Sequence, residues 1–276
     1  DGPDSPDIER PVRIDRRRSH GLGAGRTEVF ASVADGGAGV ISVIMPAYNE
    51  ERALPNTLRA LFTQQGDYEV VVVDGGSTDG TMNVLKEFGF IPDASHRTFH
   101  VSRFTFHAPK GRASQMNAGA KEACGEWLLF LHADTVLPPG AIQRLNEMEA
   151  DQTVQAGGFM HQFSGDDWRL KLISFLDNFR CIRSRIIYGD QALFVRRALF
   201  EQLGGFPNRP ILEDVAFCER LLAVTTPLLL SASVVTDARK FLKMGVWRSF
   251  LRVLLIILHV EFRLPVLPRS FFQDVR

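Results

Sequence analysis

From residue 40 onward, apolar and polar positions fall into two alternating patterns. VISVIMP (40–46) is a continuous apolar run rich in β-branched residues, the pattern of a strand buried on both faces. Glu50 to Gln65 then carries Leu54, Leu58, Leu61 and Phe62 at helical spacing. EVVVVD (69–74) repeats the strand pattern, and Thr78 to Phe88 follows as a helix that Ser77 or Thr78 can cap. FHVSRFTF (99–106) predicts a weaker strand, Ala113 to Ala123 a helix, and EWLLFLHAD (126–134) a third buried strand. Strand and helix alternating this way predict an α/β fold. Its sheet is largely parallel, its helices lie on both faces, and its ligands gather at the carboxyl ends of the strands.

Residues 1–39 show no apolar period and are rich in Gly, Pro, Asp and Arg, which predicts a flexible tail. The cluster Arg16, Arg17, Arg18 has an alternative reading as a targeting remnant, weakened by Asp4, Asp7, Glu9 and Asp15. At the other end, Trp247 to Arg263 reads as an amphipathic helix within a C-terminal helical extension, residues 241–276. Its apolar face suits an ordinary packing helix, a homodimer contact or a peripheral membrane contact. VLLIILHV (253–260) is the longest candidate for a spanning segment and is too short.

Composition narrows the classes. At 276 residues, 45% of them hydrophobic and 23% charged, the chain is long enough for one large core without covalent staples. Cys124, Cys181 and Cys218 form no C-x-x-C, so neither a disulfide framework nor a thiolate zinc site is expected, and a reducing, cytoplasmic setting fits. Zero formal net charge argues against a global grip on nucleic acid or anionic lipid.

The predicted strands end in polar residues. The first delivers Pro46, Ala47, Tyr48, Asn49 and Glu50, the second Asp74-Gly75-Gly76-Ser77-Thr78-Asp79-Gly80, and the third His132, Ala133 and Asp134. A single one of these, Asp79 above all, can be a helix cap or an Asx-turn. Three in succession at one edge point to a ligand. The glycines do not spell G-x-G-x-x-G or G-x-x-x-x-G-K-[ST], so a nucleotide would be held by carboxylates and a metal.

PAYNEE after the first strand, VVVDGGSTDGT after the second, an acidic motif after the third and a downstream Glu-Asp pair resemble glycosyltransferase family 2. The resemblance implies inverting nucleotide-sugar chemistry on a GT-A fold, a Rossmann-like and mostly parallel mixed sheet, over residues 40–240. GRASQMNAGA (111–120), FLHADT (130–135), YGDQALFVRR (188–197) and GGFPNRPILEDV (204–215) are similar to the branch labelled arsenosugar-biosynthesis or selenodomain-associated glycosyltransferases.

The resemblance assigns roles that chemistry can rationalise. Asp74 can accept the imino N–H of uracil, favouring a UDP-sugar, while Tyr48 and Pro46 offer apolar surface to the base or ribose. Asp134 is the expected ligand for Mn²⁺ or Mg²⁺, which would neutralise the leaving diphosphate. The family's usual D-x-D reads His132-Ala133-Asp134, so His132 is either a second metal ligand or a hydrogen-bonding partner of ribose or sugar. Arg112, Gln115 and Asn117 are expected on the donor, with Arg112 near a helix amino terminus that already favours anions. By resemblance Asp214 is the general base, Glu213 positions the acceptor or the base, and Gly189, Asp190 and Gln191 line the acceptor side. Gly204-Gly205 would allow a tight turn beneath them. Arg239 and Lys240 are placed to close over the diphosphate. The acceptor is expected to be a small or lipid-like molecule, because the Q-x-x-R-W motif of polysaccharide synthases is absent. A sugar nucleotidyltransferase and a catalytically silent nucleotide-sugar binder are the alternatives.

Overall fold

A computed structural model describes residues 40–92, 103–209 and 211–260. The proposed tail, the first part of FHVSRFTF and residues 261–276 lie outside them. The first half alternates β1 (Ile41–Ala47), α1 (Leu54–Leu61), β2 (Tyr68–Asp74), α2 (Thr81–Glu87), β3 (Ile91–Pro92), β4 (Arg103–His107), α3 (Arg112–Glu122) and β5 (Trp127–Phe130). Then come β6 (Thr135–Val136), α4 (Ala141–Glu147), β7 (Ala156–Phe163), α5 (Trp168–Ser184), a 3-10 turn (Gly189–Gln191), β8 (Phe194–Arg196) and α6 (Arg197–Gln202). The chain continues with α7 (Glu213–Leu222), β9 (Leu228–Thr236), α8 (Arg239–Met244) and α9 (Val246–Val260).

The described strands form one sheet in the order β3-β4-β2-β1-β5-β8-β7-β9-β6. The five strands β3, β4, β2, β1 and β5 run parallel; β8 pairs antiparallel with both β5 and β7, and β6 pairs antiparallel with β9. Every residue of β1 and β2 is buried, as their unbroken apolar runs require. Met45, Leu54, Leu58 and Trp127 pack on one face and Ile44, Val71, Met116 and Phe130 on the other. Each such side chain, fully buried, contributes on the order of 1.5–3 kcal/mol. Helix α3 comes unusually close to the sheet, since a Cβ at Gly119 would sit 2.5 Å from Ile44 Cγ2.

Three element boundaries differ from expectation. Helix α1 starts four residues after Glu50, because Asn49 takes a left-handed conformation (φ 55) and the chain turns before Leu54, with Pro55 in the first turn of the helix. Neither Ser77 nor Thr78 caps α2; instead Asp79 Oδ1 accepts the Thr81 N–H at 3.0 Å. Strand β5 stops at Phe130, beyond which His132 C=O accepts the Thr135 N–H in a turn. That turn carries Asp134 out to the edge of the sheet.

Candidate active site

The carboxyl ends of β1 and β2 lie side by side, Ala47 in register with Asp74. The loops that follow are joined by hydrogen bonds. Asn49 N–H donates to Ser77 Oγ (2.9 Å), Thr78 N–H to Asn49 Oδ1 (2.8 Å), Glu51 N–H to Asp79 Oδ2 (3.2 Å) and Gly80 N–H to Glu51 Oε2 (2.8 Å). Burial works to raise the Asp79 pKa, but hydrogen bonds from Thr81 and Glu51 outweigh it and hold the carboxyl below its ordinary range. Asp79 therefore closes the turn ahead of α2 and ties the two loops together.

Asp74 is fully buried and accepts the N–H groups of Gly76 (2.9 Å) and Ser77 (3.1 Å) on Oδ2, where His107 Nδ1 also lies at 2.8 Å. His107 itself is 68% exposed, so the contact can open toward solvent. Tyr48 lies beside the same loops with Lys110 Nζ 3.8 Å over its ring. Gln115 is nearly buried, and its amide is used on the backbone: Nε2 donates to Ala47 C=O (2.9 Å) and Val73 C=O (2.8 Å). It clamps the ends of β1 and β2 together from α3. Asn117 does the same across 89 residues, donating to Phe206 C=O (2.8 Å) and accepting from Phe206 N–H (2.9 Å). That contact fixes the turn at Gly204 and Gly205, both left-handed (φ 76 and 67).

Beyond β5, Ala133 is buried, and its carbonyl accepts the Thr57 hydroxyl at 2.9 Å. Asp134 faces the start of α8. Lys240 Nζ bridges Asp134 Oδ2 (2.9 Å) and Glu50 Oε1 (2.8 Å), and Arg239 pairs with the other oxygen of Glu50. Burial alone would raise the Asp134 pKa, but Lys240 outweighs it and holds the carboxyl low; Asp134 and Glu50 raise the Lys240 pKa against the partial desolvation of its ammonium. Both groups are charged at neutral pH.

His132 lies with its Nε2 edge toward Gly189, where a Cβ would sit 2.5 Å from Nε2 and 3.3 Å from Asp214 Oδ2. Desolvation, reinforced by the Arg112 guanidinium, pushes the imidazole pKa down to about 4. Asp214, at the start of α7, accepts the Gly189 N–H on Oδ2 (2.6 Å) and its own helix's Val215 N–H on Oδ1 (2.8 Å). Leu212, just before it, is left-handed (φ 53), a conformation that costs a branched residue roughly 1–3 kcal/mol. Glu213 is 2% exposed and receives Arg112 Nε at 3.0 Å. Burial works to lower the Arg112 pKa, but Glu213, Asp214, Asp190 and Asp134 outweigh it and raise it.

In the 3-10 turn, Gln191 is buried and accepts the Tyr188 N–H at 3.0 Å, so it shapes the turn. Asp190 faces His161, a residue that sequence reasoning missed. His161 is 2% exposed, with Nε2 3.7 Å from Asp190 Oδ2 and Nδ1 3.8 Å from Asp177 Oδ2. Neither ring nitrogen has a hydrogen-bond partner among the described residues. Burial, with Asp177 and Asp214 nearby, raises the Asp190 pKa although His161 opposes it.

A divalent metal can be tested against this donor set. Among the described residues no three His, Cys, Asp or Glu side chains are grouped to hold an ion by themselves. Metals that serve phosphate substrates need only one or two protein carboxylates, the rest coming from phosphate and water. Asp134 fits that pattern. His132 fits it less well, because its Nε2 edge is turned to Gly189.

Residues 42–204, more than half the chain, match the family model described as "Glycosyl transferase family 2". The chain belongs to that family. It is 32% identical over 182 residues to a PGL/p-HBAD biosynthesis glycosyltransferase of Mycobacterium bovis, covering 62% of this chain and 65% of the relative. It is 31% identical over 142 residues to an undecaprenyl-phosphate 4-deoxy-4-formamido-L-arabinose transferase of Proteus mirabilis, covering 50% of this chain and 42% of the relative. The chain thus spans about two fifths to just under two thirds of these relatives' lengths. Among solved structures it is similar to a mannosyltransferase of Pyrobaculum calidifontis in complex with GDP-Man and Mn²⁺ (TM-score 0.54, 24% identity, 71% of this chain and 56% of that one). It is also similar to S. aureus TarS in complex with UDP-GlcNAc (TM-score 0.55, 21% identity, 71% and 58%). These likenesses carry the fold, GT-A-like with a mixed, mostly parallel sheet.

For a family 2 chain, the contacts least visible in the sequence are those of Lys240 and His161. Lys240 meets Glu50 across 190 residues, and His161 sits inside an apolar-looking strand. The only local signal was the basic pair after the turn at Asp237.

Proposed function

We propose that this protein transfers a sugar from a nucleotide-diphosphate donor, a UDP-sugar by preference, to a hydroxyl of a small or lipid-like acceptor with inversion. The observation that carries this reading is the position of Asp214. Its carboxylate is fixed by the Gly189 N–H on the acceptor side, in the same electrostatic field as Arg112 and Asp134. In the proposed step the acceptor oxygen attacks the anomeric carbon, its proton passes to Asp214, and the bond from that carbon to the diphosphate breaks. Arg112 and Lys240 bring positive charge to the region where the diphosphate leaves. Asp134 would hold Mn²⁺ or Mg²⁺, with His132 either a second ligand or a hydrogen-bonding partner of ribose or sugar; such an ion supplies further positive charge when bound.

Asp74 remains the proposed reader of uracil, a contact that requires exposed His107 to release Oδ2. Tyr48 and Pro46 are the proposed surface for base or ribose. The motifs from Gly111 to Val215 support the narrower placement in the arsenosugar-biosynthesis or selenodomain-associated branch. The Proteus relative, whose name carries undecaprenyl phosphate, is compatible with a lipid-like acceptor.

The test is Asp214→Asn. It should lower transfer by about 10²–10⁴-fold, the range for a lost general base, and leave the thermal shift produced by the donor intact. Retained turnover would remove Asp214 from the mechanism. In the same assay, stabilisation by GDP-sugars alone would overturn the assignment of Asp74, and full activity in EDTA would overturn the metal.

A further inference from the structure

Helix α5 is apolar on two sides. Leu170, Ile173 and Cys181 are buried against the domain, yet Trp168, Leu172, Phe175, Leu176, Phe179 and Ile182 point outward, with Phe175 66% and Phe179 56% exposed. Steps of one, three and four residues place the outward set along a single stripe of the helix. The stripe does not end with α5. Trp168 meets Trp247 of α9 edge to face at 6.2 Å, and Leu242, Met244, Leu251 and Leu254 extend the exposed apolar surface along α8 and α9. A small core of Phe163, Leu170, Ile173, Ala238 and Val246 fastens the three helices to β7 from beneath. A continuous apolar face of this extent marks an interaction site on a soluble domain.

Charge identifies the partner. The chain as a whole is neutral, but residues 238–260 contain Arg239, Lys240, Lys243, Arg248 and Arg252 and not one Asp or Glu. Arg183 and Arg185 place two further cations at the carboxyl end of α5. Lys243, Arg248, Arg183 and Arg185 form no ion pair among the described residues. Apolar helix faces with indole rings at their junction and cations interspersed fit the headgroup and upper acyl region of an anionic bilayer. No described helix is long and apolar enough to cross a membrane, which leaves docking in the plane of the surface.

We infer that α5, α8 and α9 form a face that docks on an anionic lipid bilayer, and that the acceptor hydroxyl is carried by a lipid within it. The second half rests on the glycosyltransferase reading. The face adjoins the site at both ends: α5 presents Asp177 to His161 beside Asp190, and α8 presents Lys240 to Asp134. On this proposal a lipid-borne acceptor would reach Asp214 from the bilayer surface.

Flotation of the full chain with phosphatidylcholine vesicles, with and without phosphatidylglycerol, tests the face. The protein should float with the anionic vesicles only and be released by salt. Two of its three tryptophans, Trp168 and Trp247, are exposed and Trp127 is buried, so binding should shift the fluorescence to the blue. The double variant Phe175→Ser, Phe179→Ser changes two outward side chains and should keep its melting temperature while losing about tenfold or more in partitioning. Wild-type protein that ignores both vesicles, or a variant that binds as well as wild type, would overturn the proposal. So would a variant that dissolves a homodimer with no lipid effect, since the face would then belong to a second copy. Vesicle binding in a protein that no nucleotide-sugar stabilises would leave the face standing and remove the lipid acceptor along with the glycosyltransferase reading.

Discussion

The Gly189 backbone N–H donates to Asp214 Oδ2 at 2.6 Å, tying the first turn of α7 to the turn that leads into β8. The same glycine lies against the His132 ring. Gly189→Ala would place a methyl 2.5 Å from His132 Nε2. The clash is one of contact and does not depend on φ, so the imidazole or the turn must move. Transfer should fall about tenfold or more, as expected when a catalytic group is displaced by a fraction of an ångström. Steady-state kinetics beside circular dichroism checks this: unchanged kcat would show that the turn can shift without disturbing Asp214.

Lys240 holds two acids at once, Asp134 and Glu50. Removing the ammonium in Lys240→Met leaves both carboxylates facing one another without their bridging cation. The affinity for Mn²⁺ in the absence of donor should rise by about tenfold, a moderate figure because Lys240 is largely exposed and its charge is screened. Calorimetric titration gives the answer directly. Unaltered affinity would mean that the ammonium does not compete for the metal position.

Asn117→Ala removes two hydrogen bonds to Phe206 and leaves the backbone groups of a partly buried turn unpaired. The loss should cost about 1–3 kcal/mol, or roughly 2–10 °C in melting temperature for a domain of this size. A thermal melt within a degree of wild type would contradict the clamp assigned to Asn117.

Acid sensitivity follows from His132. Its folded pKa, about 4, lies below the ordinary value of 6.5, so the fold favours the neutral ring. The stabilisation is complete above about pH 6.5, where both states carry a neutral imidazole. It is lost as pH falls from 6.5 toward 4, because the unfolded chain binds the proton first. Denaturant midpoints between pH 7.5 and pH 5, both chosen as roughly bracketing that window, should drop more in wild type than in His132→Gln. Parallel curves would rule out the buried neutral ring.

The strands β1, β2 and β5 were legible because burial on both faces of a parallel sheet leaves an unbroken apolar run, and the acids were legible because they stood where those runs stopped. The amides were harder. Gln115 and Asn117 lie in a motif that suggested donor contact, but the fold uses them on backbone carbonyls and N–H groups 42 to 89 residues away. Such pairings leave no period in the sequence. His161 was hidden for the opposite reason: β7 is mostly apolar around it, and the carboxylates that face it come from α5 and the 3-10 turn.

The hydrogen bonds that join Asn49 and Glu51 on one loop to Ser77, Thr78, Asp79 and Gly80 on the next make the carboxyl ends of β1 and β2 a preassembled wall. Folding has already met the entropy cost of ordering that wall. An incoming donor would find its seat fixed in advance, so its binding energy remains available for the reacting sugar.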